Sequence, residues 1–269
     1  MANKTEYHLH IEQDNLTAVE HLASATSLSR QYLKQCMQKG AVWLTRGQGT
    51  QRLRRAKKTL RQGDELHFYY NPKVLEQAVT PAELLADEGD YSVWNKPYGM
   101  LSQGSKWGDH CTIYRWAEQH LKPERPAFIV HRLDRAATGL ILLAHKKRVA
   151  RQLADLFQQR QITKHYRVWV SGEFDERNKS ITTPLDNKPA TSHFHVLKYN
   201  ISQQRTLLNV CIETGRKHQI RRHLSSIGFP VIGDRLYGDK NSQENLQLKA
   251  AYLSFTSPIT GKKVEYWVD

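Results

Sequence analysis

The stretch Phe128-Ile-Val-His-Arg-Leu-Asp-Arg-Ala-Ala-Thr-Gly-Leu-Ile-Leu-Leu-Ala places a polar cluster, residues 131–135, between two apolar runs that are typical of strands. Side chains at strand ends can be held rigidly and still face a cleft. Asp134 lies close to Arg132 and Arg135, so charge pairing predicts that its carboxylate stays ionised. Such a carboxylate can act as a nucleophile or as a base, but a structural salt-bridged turn explains the spacing equally well.

The sequence around this stretch predicts an α+β domain over residues 91–269. Apolar patterns predict strands and helices that mix without regular βαβ alternation, which favours a mixed, mostly antiparallel sheet with helices packed on it. The predicted strands are 91–94, 127–130, 140–143, 165–170, 207–212 and 264–268, and the predicted helices are 146–159 and 217–227.

Residues 1–75 read as a separate, small α+β module. Thr17, with Glu20 as its capping-box partner, is expected to begin one helix, and Ser29 to begin a second helix that ends at Gly40. Strands are expected on either side of these helices. Residues 76–90, which contain a proline and an acidic cluster, are predicted to be a linker.

A cationic segment follows the two predicted helices, and the whole chain carries a formal net charge of +14. The module resembles the S4-type RNA-binding module, and we predict that this segment binds RNA rather than forming a solvated face. Composition alone does not distinguish RNA from DNA or from an acidic membrane surface. The predicted RNA-binding residues are Arg46, Arg52, Arg54, Arg55, Lys57, Lys58 and Arg61.

Several classes of function lack sequence support. Phosphate-binding loops for ATP or a dinucleotide are missing, so no nucleotide cofactor is expected. Three scattered cysteines favour a reduced cytoplasmic protein over zinc or disulfides, and His193 and His195 are expected to be exposed strand residues rather than metal ligands. No secretory signal or membrane-spanning run is expected.

Two further stretches contribute candidate site residues. In a helix over 217–227, Arg221 would lie at the edge of the core face and Arg222 would point into solvent. A buried Arg221 would need a carboxylate partner, for which Asp134 is a candidate, although an ordinary surface arginine fits the helix phase better. In a strand over 164–170, Lys164 and Tyr166 share one face, where the tyrosine could stack on a base or simply pack.

Four segments together resemble the RluA family of pseudouridine synthases. His131-Arg-Leu-Asp-Arg-x-x-Thr-Gly-Leu is similar to the family's H-R-L-D-x-x-T-S-G-L signature. Asn95-Lys-Pro-Tyr-Gly-Met, Lys164-His-Tyr, and Thr214-Gly-Arg-Lys-His-Gln-Ile-Arg with Gly233-Asp-Arg-Leu-Tyr-Gly agree with its other motifs in order and spacing. The sequence departs from the signature at Ala136-Ala137-Thr138, which removes a hydroxyl near the predicted catalytic loop.

The resemblance implies an RNA uridine isomerase with a central cleft and with neither cofactor nor metal. It implies that Asp134 is catalytic, that Tyr166 stacks on the target base, that Arg221 pairs with Asp134, and that Arg132 helps to flip the nucleotide. The implied partner is rRNA or tRNA, and a monomer is expected. The alternative is an inactive S4-type RNA-binding protein. The remaining substrate-binding candidates within the motifs are His131, Lys164, Arg216, His218 and Gln219.

Overall fold

The computed structural model describes residues 4–14 and 16–269, which form two compact units. The first unit comprises Met1–Val79 together with Gln103–Trp116, and the second comprises Thr80–Ser102 together with Ala117–Asp269. The sequence predicted one boundary, at residues 76–90. It did not foresee that residues 103–116 belong with the first unit, because that assignment depends on contacts distant in sequence.

The first unit contains a four-stranded antiparallel sheet of order β1-β4-β2-β3. Its core includes the fully buried Leu22, Leu33, Leu66 and Phe68. The elements are β1 (Thr5–His10), α1 (Ala18–Ala25), α2 (Arg30–Gln38), β2 (Val42–Arg46), β3 (Gly49–Arg52), β4 (Glu65–Tyr70) and α3 (Pro72–Leu75).

Helices α1 and α2 begin where their capping residues predicted. The backbone N–H of Thr17 donates to the Glu20 carboxylate at 2.8 Å, and the Ser29 hydroxyl accepts from the N–H of Tyr32 at 3.2 Å. Gly40 follows α2 with a φ of +82°, a left-handed conformation that favours glycine. These predicted helix boundaries are confirmed.

A buried carboxylate organises the cations that follow α2. Asp109 accepts from Arg54 at 2.6 Å and from the hydroxyl of Tyr114 at 2.5 Å, and Arg52 lies 3.2 Å away. Burial opposes ionisation of Asp109, but hydrogen bonds from Arg54 and Tyr114 outweigh it and lower the pKa of this carboxyl. Arg46 is likewise held at 2.6 Å by Asp64.

Three of the seven predicted RNA-binding cations therefore have a structural partner. Arg46, Arg52 and Arg54 are each engaged by a carboxylate within the first unit, and their binding to RNA stays a prediction. Clustering of charge along the sequence could not reveal this, because Asp109 lies more than fifty residues away.

The second unit is built on a ten-stranded sheet that is antiparallel except where β8 meets β13. The main strand order is β10-β11-β12-β9-β13-β8-β6-β5, while β14 pairs with β13 and β7 with β8. The elements after α3 are β5 (Glu83–Asp87), β6 (Tyr91–Lys96), α4 (Ile113–His120), β7 (Phe128–Ile129), β8 (Thr138–Ala144), α5 (Lys147–Gln158), β9 (Thr163–Ser171), β10 (Asn178–Ile181), β11 (Ser192–Asn200), β12 (Arg205–Ile212), α6 (Gln219–Ser226), β13 (Leu248–Thr256) and β14 (Lys263–Trp267).

The parallel pairing of β8 with β13 depends on one glycine. Gly139 has a φ of +100°, and a Cβ at this position would lie 2.2 Å from the carbonyl oxygen of Ala250. A side chain here would clash with backbone, so the Thr-Gly pair of the 128–144 stretch permits the close approach of the two strands. This contact joins the two halves of the sheet.

The predicted fold class is confirmed, with one local correction. The segment 76–90 was predicted to be a linker, but it contains β5, an edge strand paired antiparallel with β6. Its acidic residues and its exposed positions concealed this pairing, as is common for edge strands that carry charge. Among the described residues, no helix combines the length and the apolar character needed to cross a bilayer.

The Asp109 cluster leads to a stability prediction for the first unit. We expect Asp109→Ala to destabilise this unit by about 3–5 kcal/mol, because it leaves Arg52 and Arg54 without their buried counter-charge. Glu65→Ala, which removes an exposed carboxylate, should change stability by less than about 0.5 kcal/mol.

Hydrogen exchange of the amides of β2 and β4 measures this effect locally. Exchange in Asp109→Ala should accelerate by about two to four orders of magnitude, and exchange in Glu65→Ala should stay near wild type. Equal protection in the two variants would show that Asp109 does not hold the unit together.

Candidate active site

Asp134 lies in the turn between β7 and β8, which is closed by the N–H of Ala137 donating to the carbonyl of Asp134 at 3.1 Å. The hydroxyl of Ser102 donates to the carbonyl of Leu133 at 2.8 Å and accepts from its N–H at 3.0 Å. On the other side of Asp134, the carbonyl of Arg135 accepts from the N–H of Gly99 at 2.9 Å. The residues flanking Asp134 are thus fixed by the loop that follows β6.

A buried lysine forms hydrogen bonds with the backbone around the same turn. The ammonium of Lys96 donates to the carbonyls of Met100 at 2.9 Å, Pro97 at 3.1 Å and Arg135 at 3.4 Å. These three acceptors match the three N–H bonds of an ammonium group. Burial lowers the pKa of Lys96 to about 7, and the negative charge of Asp134 opposes that shift.

Arg221 bridges two carboxylates. Its Nη1 donates to Oδ2 of Asp134 at 3.1 Å, while its Nε and Nη2 donate to the two oxygens of Asp234 at 2.7 and 2.8 Å. Asp234 is buried and also accepts from the N–H groups of Leu236 and Tyr237. The predicted contact between Arg221 and Asp134 is therefore present. Asp234 is a second carboxylate partner that was not predicted from the sequence.

Hydrogen bonds and opposite charges within this cluster compensate for the cost of burying its charged groups. Burial disfavours a charged guanidinium, but hydrogen bonds and charge from Asp234 and Asp134 outweigh it and raise the pKa of Arg221. Burial likewise opposes ionisation of Asp234, and Arg221 with two backbone N–H groups lowers the pKa of that carboxyl. Asp134 keeps a side-chain exposure of 26%, against 0% for Asp234. Only Asp134 is open to a substrate.

His218 and Tyr237 flank the bridging arginine. His218 precedes α6 in a left-handed conformation, with a φ of +55°, and its Nε2 lies 3.8 Å from Oδ1 of Asp134. Its Nδ1 is 3.0 Å from the hydroxyl of Tyr237, whose ring lies 5.1 Å from the Arg221 guanidinium. Burial, with the charge of Arg221, lowers the pKa of His218, which favours a neutral ring beside Asp134. A strained backbone at a non-glycine residue is typical of functional sites.

Tyr166 lies on β9 with its ring in the buried side of the sheet. Burial and the nearby charge of Asp134 raise the pKa of Tyr166, so its hydroxyl stays protonated at neutral pH. Lys164, two residues earlier on the same face, lies 5.3 Å from the ring of Phe157, and burial lowers its pKa. The predicted face of β9 therefore carries both residues, with the tyrosine beside the carboxylate.

Gln219 and His131, two of the predicted substrate-binding residues, form side-chain hydrogen bonds within the protein. The side chain of Gln219 accepts from Thr214 at 2.7 Å and donates to Ser192 at 3.0 Å, among other contacts. Nε2 of His131 accepts from the N–H of Leu142 at 2.9 Å, and burial lowers the pKa of His131 to about 3. Nε2 of His131 and the amide of Gln219 are thus used within the protein and help to hold the site, and contact of either residue with a substrate stays a prediction.

Other candidates remain available to a ligand. Arg132 is exposed, and Arg216 is half-buried with its Nε donating to the carbonyl of Pro189 at 3.0 Å. Arg222 extends away from Asp134 and pairs with the exposed Asp186 at 3.0 Å. The predicted difference between the neighbouring arginines 221 and 222 is present in the geometry.

No role was predicted for Lys96, Ser102, Asp234 or Tyr237. Lys96 is a single charge that follows an apolar strand, which could have marked it as buried, whereas Asp234 lies next to Arg235 and has no such signal beyond its place in a quoted motif. Ser102 carries no comparable local signal. Its role depends on a contact across more than thirty residues.

The arrangement suits acid–base or nucleophilic chemistry by a single carboxylate. Asp134 presents one oxygen to Arg221 and is partly exposed, next to a protonated phenol and a neutral imidazole. Within residues 4–14 and 16–269, no group of three or more His, Cys, Asp or Glu side chains is placed to hold a metal ion.

The chain is similar to known proteins over most of its length. The family model described as RNA pseudouridylate synthase matches residues 90–226. An uncharacterized RNA pseudouridine synthase of Aquifex aeolicus is 30% identical over 275 residues, covering 90% of this chain and 85% of that protein. A ribosomal large subunit pseudouridine synthase D of Nitrosomonas europaea is 34% identical, covering 59% of this chain and 50% of that protein.

A solved structure shares the fold. Human RNA pseudouridylate synthase domain containing 1 superposes with a TM-score of 0.61 at 21% identity, covering 72% of this chain and 85% of that chain. The mixed, mostly antiparallel sheet of the second unit is thus a known pseudouridine synthase architecture. The chain belongs to the RNA pseudouridylate synthase family, in its RluA group, and is an isomerase that acts on RNA.

Proposed function

We propose that this enzyme isomerises a specific uridine of ribosomal or transfer RNA to pseudouridine, with Asp134 as the catalytic residue. The observation that carries the proposal is a carboxylate that is fixed by Arg221 and still partly exposed. In the reaction the N1–C1′ bond breaks and a C5–C1′ bond forms. The hydrogen on C5 is lost and N1 gains one, so atoms balance without a co-substrate.

Asp134 acts in one of two ways in this proposal. It either attacks the substrate covalently or removes a proton from the sugar. In either role the carboxylate has to be held in place, and Arg221 does so by donating to it at 3.1 Å. Removal of the proton from C5 then proceeds through a water or through Tyr166.

The residues around Asp134 are assigned to binding a base that has been flipped out of the RNA stack. The target nucleotide must leave its stack before it can reach a carboxylate at the turn between β7 and β8. We propose that Tyr166 stacks on the uracil and that the exposed Arg132 occupies the position of the flipped nucleotide. Lys164, Arg216 and His218 are the remaining substrate-contact candidates, and the sugar and its phosphates are their targets.

The first unit supplies a second contact to RNA. Arg55, Lys57, Lys58 and Arg61 line a recess of about 840 Å³ that also includes Lys34. In contrast to Arg46, Arg52 and Arg54, none of these five side chains is held by a carboxylate among the ion pairs of the described residues. A cluster of cations in a recess attracts phosphates, and we propose that it holds RNA flanking the target uridine.

The net charge and the relatives support the proposed substrate class. A relative named for the large ribosomal subunit shares 34% of its residues with this chain over the matched region. A net charge of +14 fits a large, structured polyanion of this kind. We propose that the enzyme acts on such RNA in the cytoplasm, as a monomer.

Asp134→Asn provides the test of the catalytic assignment. The amide is isosteric but cannot serve as a nucleophile or a base, so pseudouridine formation in cellular RNA should fall by about 100-fold or more while RNA affinity is retained. Chemical labelling of pseudouridine in RNA incubated with each protein measures this. Asp155→Asn, at an exposed position of α5, is the matched control and should remain fully active.

Two outcomes of that experiment would count against the proposal. Near-normal activity in Asp134→Asn would remove Asp134 from the chemistry. A wild-type protein that binds RNA tightly but forms no pseudouridine in ribosomal or transfer RNA would favour the inactive RNA-binding alternative.

Arg221 and Arg222 should differ sharply when replaced. Arg221→Ala leaves the buried Asp234 unpaired, so we expect a loss of about 3–5 kcal/mol in stability together with loss of activity. Arg222→Ala removes only an exposed ion pair and should leave stability and activity close to wild type. Thermal unfolding and pseudouridine assays of both variants measure the difference.

Arg221→Lys separates stability from catalysis at this position. Lysine keeps the charge but cannot contact both carboxylates with the guanidinium's geometry, so activity should fall more than stability. Equal effects of Arg221→Ala and Arg222→Ala would contradict the bridging role of Arg221.

The salt dependence of RNA binding tests the proposed role of the recess in the first unit. The triple variant Arg55→Gln, Lys57→Gln, Lys58→Gln should bind RNA more weakly, and the slope of log affinity against log salt should become shallower by about 0.7 for each phosphate that the recess no longer binds. The control variant Lys147→Gln, Arg148→Gln, Arg151→Gln removes three exposed cations of α5 and should retain the wild-type slope. Filter-binding titrations decide it, and identical slopes in the two triple variants would show that the recess does not bind RNA.

A further inference from the structure

The sheet of the second unit has a second face that the proposed chemistry does not use. Strand β9 alternates, so that Lys164 and Tyr166 lie on the Asp134 side while His165, Arg167 and Trp169 point the opposite way. The residues on this opposite face are half-buried or exposed rather than covered.

Neighbouring strands continue this surface, which we call the outer face. Lys249 lies opposite Arg167 and Tyr252 opposite His165 on β13, and Trp267 of β14 lies opposite Tyr252. Together with Trp169 they line a groove of about 820 Å³. That volume falls within the usual range of small-ligand sites, about 300–1,000 Å³.

Aromatic rings of the outer face are presented to solvent. The indole of Trp267 is 68% exposed, which is unusual for a large apolar side chain. The rings of Tyr252 and His165 contact each other at 5.2 Å, and the ammonium of Lys198 lies 5.3 Å from the ring of Trp169. Flat rings with cations above or beside them suit the stacking of nucleobases.

The charges of the outer face are mainly positive. Lys263 pairs with Glu265 at 2.5 Å, and Lys249 donates to the main-chain oxygen of Asp269. The exposed Arg167 donates to the amide oxygen of Asn209 rather than to a carboxylate. Arg167 and Lys198 thus add positive charge to this face that no carboxylate offsets in the ion pairs of the described residues, so an anionic ligand is favoured.

We propose that the outer face is a second RNA-binding surface, which stacks the bases of a single-stranded segment while its cations contact the phosphates. Aromatic rings and arginine also occur in protein interfaces, so the occupant is chosen by charge: Arg167 and Lys198 lie beside the rings without a carboxylate in the ion pairs of the described residues, which favours the phosphates of RNA. The proposal rests on the enzyme's RNA substrate but not on the assignment of Asp134. In this proposal the bound RNA extends from the active site to the opposite side of the sheet, where the outer face contacts it.

Two single variants of the full chain test the outer face. Trp267→Ala removes the exposed ring, and Arg167→Glu reverses an exposed charge. Their matched controls are Ile201→Ala, at a 74% exposed apolar residue, and Lys147→Glu, at an exposed cation of α5. The probe is a fluorescein-labelled single-stranded oligouridine, and its affinity is measured by anisotropy.

Loss of one stacked base should raise the Kd of Trp267→Ala by about five-fold or more. Arg167→Glu should raise the Kd similarly and make the salt slope shallower by about 0.7 or more. Both controls should bind like wild type. Activity of all four variants on a short substrate at saturating concentration should be unchanged, because none touches the Asp134 site.

Crosslinking gives an independent readout. A 4-thiouridine probe irradiated with wild-type protein should crosslink to peptides of β13 and β14. If Trp267→Ala and Arg167→Glu bind like their controls, or if no crosslink reaches these strands, the proposal is overturned. An inactive wild-type protein would refute the proposed function instead, since the binding and crosslinking results do not depend on turnover.

Discussion

The site depends on the contact of one buried arginine with two carboxylates of different exposure. Arg221 neutralises the fully buried Asp234 with two hydrogen bonds and reaches the partly exposed Asp134 with a third. Removing a guanidinium from water is costly, and only good geometry with both acids compensates for that cost. The same contact ties together the turn before β8, helix α6 and the loop after residue 232, so it fixes where the exposed carboxylate points.

Helix α6 must itself be held in place for this contact to form. His223 lies 3.0 Å from both the Ser192 hydroxyl and the Thr183 carbonyl, and Gln219 donates to Ser192 as well. These buried polar contacts are specific in direction, in contrast to the apolar packing of Ile220 and Leu224 on the same helix. They set the rotation of α6 about its axis, and that rotation determines that Arg221 rather than Arg222 faces Asp134.

Local pattern predicted much of the fold, and it failed where distant contacts decide. The apolar stripe of α5, the caps at Thr17 and Ser29, and the alternation of β9 are all properties of short windows, and each appears in the structure as predicted. By contrast, the parallel contact at Gly139 and the membership of residues 103–116 in the first unit involve segments far apart in sequence.

The candidate site was predictable to the same extent. Helix phase placed Arg221 at a core margin but could not identify its second partner, because Asp234 follows thirteen residues later in an irregular loop. Charge clustering marked Arg52 and Arg54 as RNA ligands, although a carboxylate fifty-five residues beyond Arg54 already holds both. A run of cations therefore indicates an electrostatic tendency of the chain, while the partners of each side chain depend on the folded structure.

An enzyme for RNA has to place a carboxylate close to a phosphate backbone, and the surroundings of Asp134 reduce that repulsion. Asp134 and Asp234 carry two negative charges, and Arg221 offsets one of them directly. The protonated form of Lys96 offsets the second, and its three carbonyl acceptors fit an ammonium even though burial draws its pKa to about 7. With Lys96 protonated, these four groups sum to zero, so the two carboxylates do not oppose the positive field of a chain with a net charge of +14. Burying Lys96 and Arg221 also keeps them away from phosphates, so the catalytic carboxylate retains its partners when RNA binds.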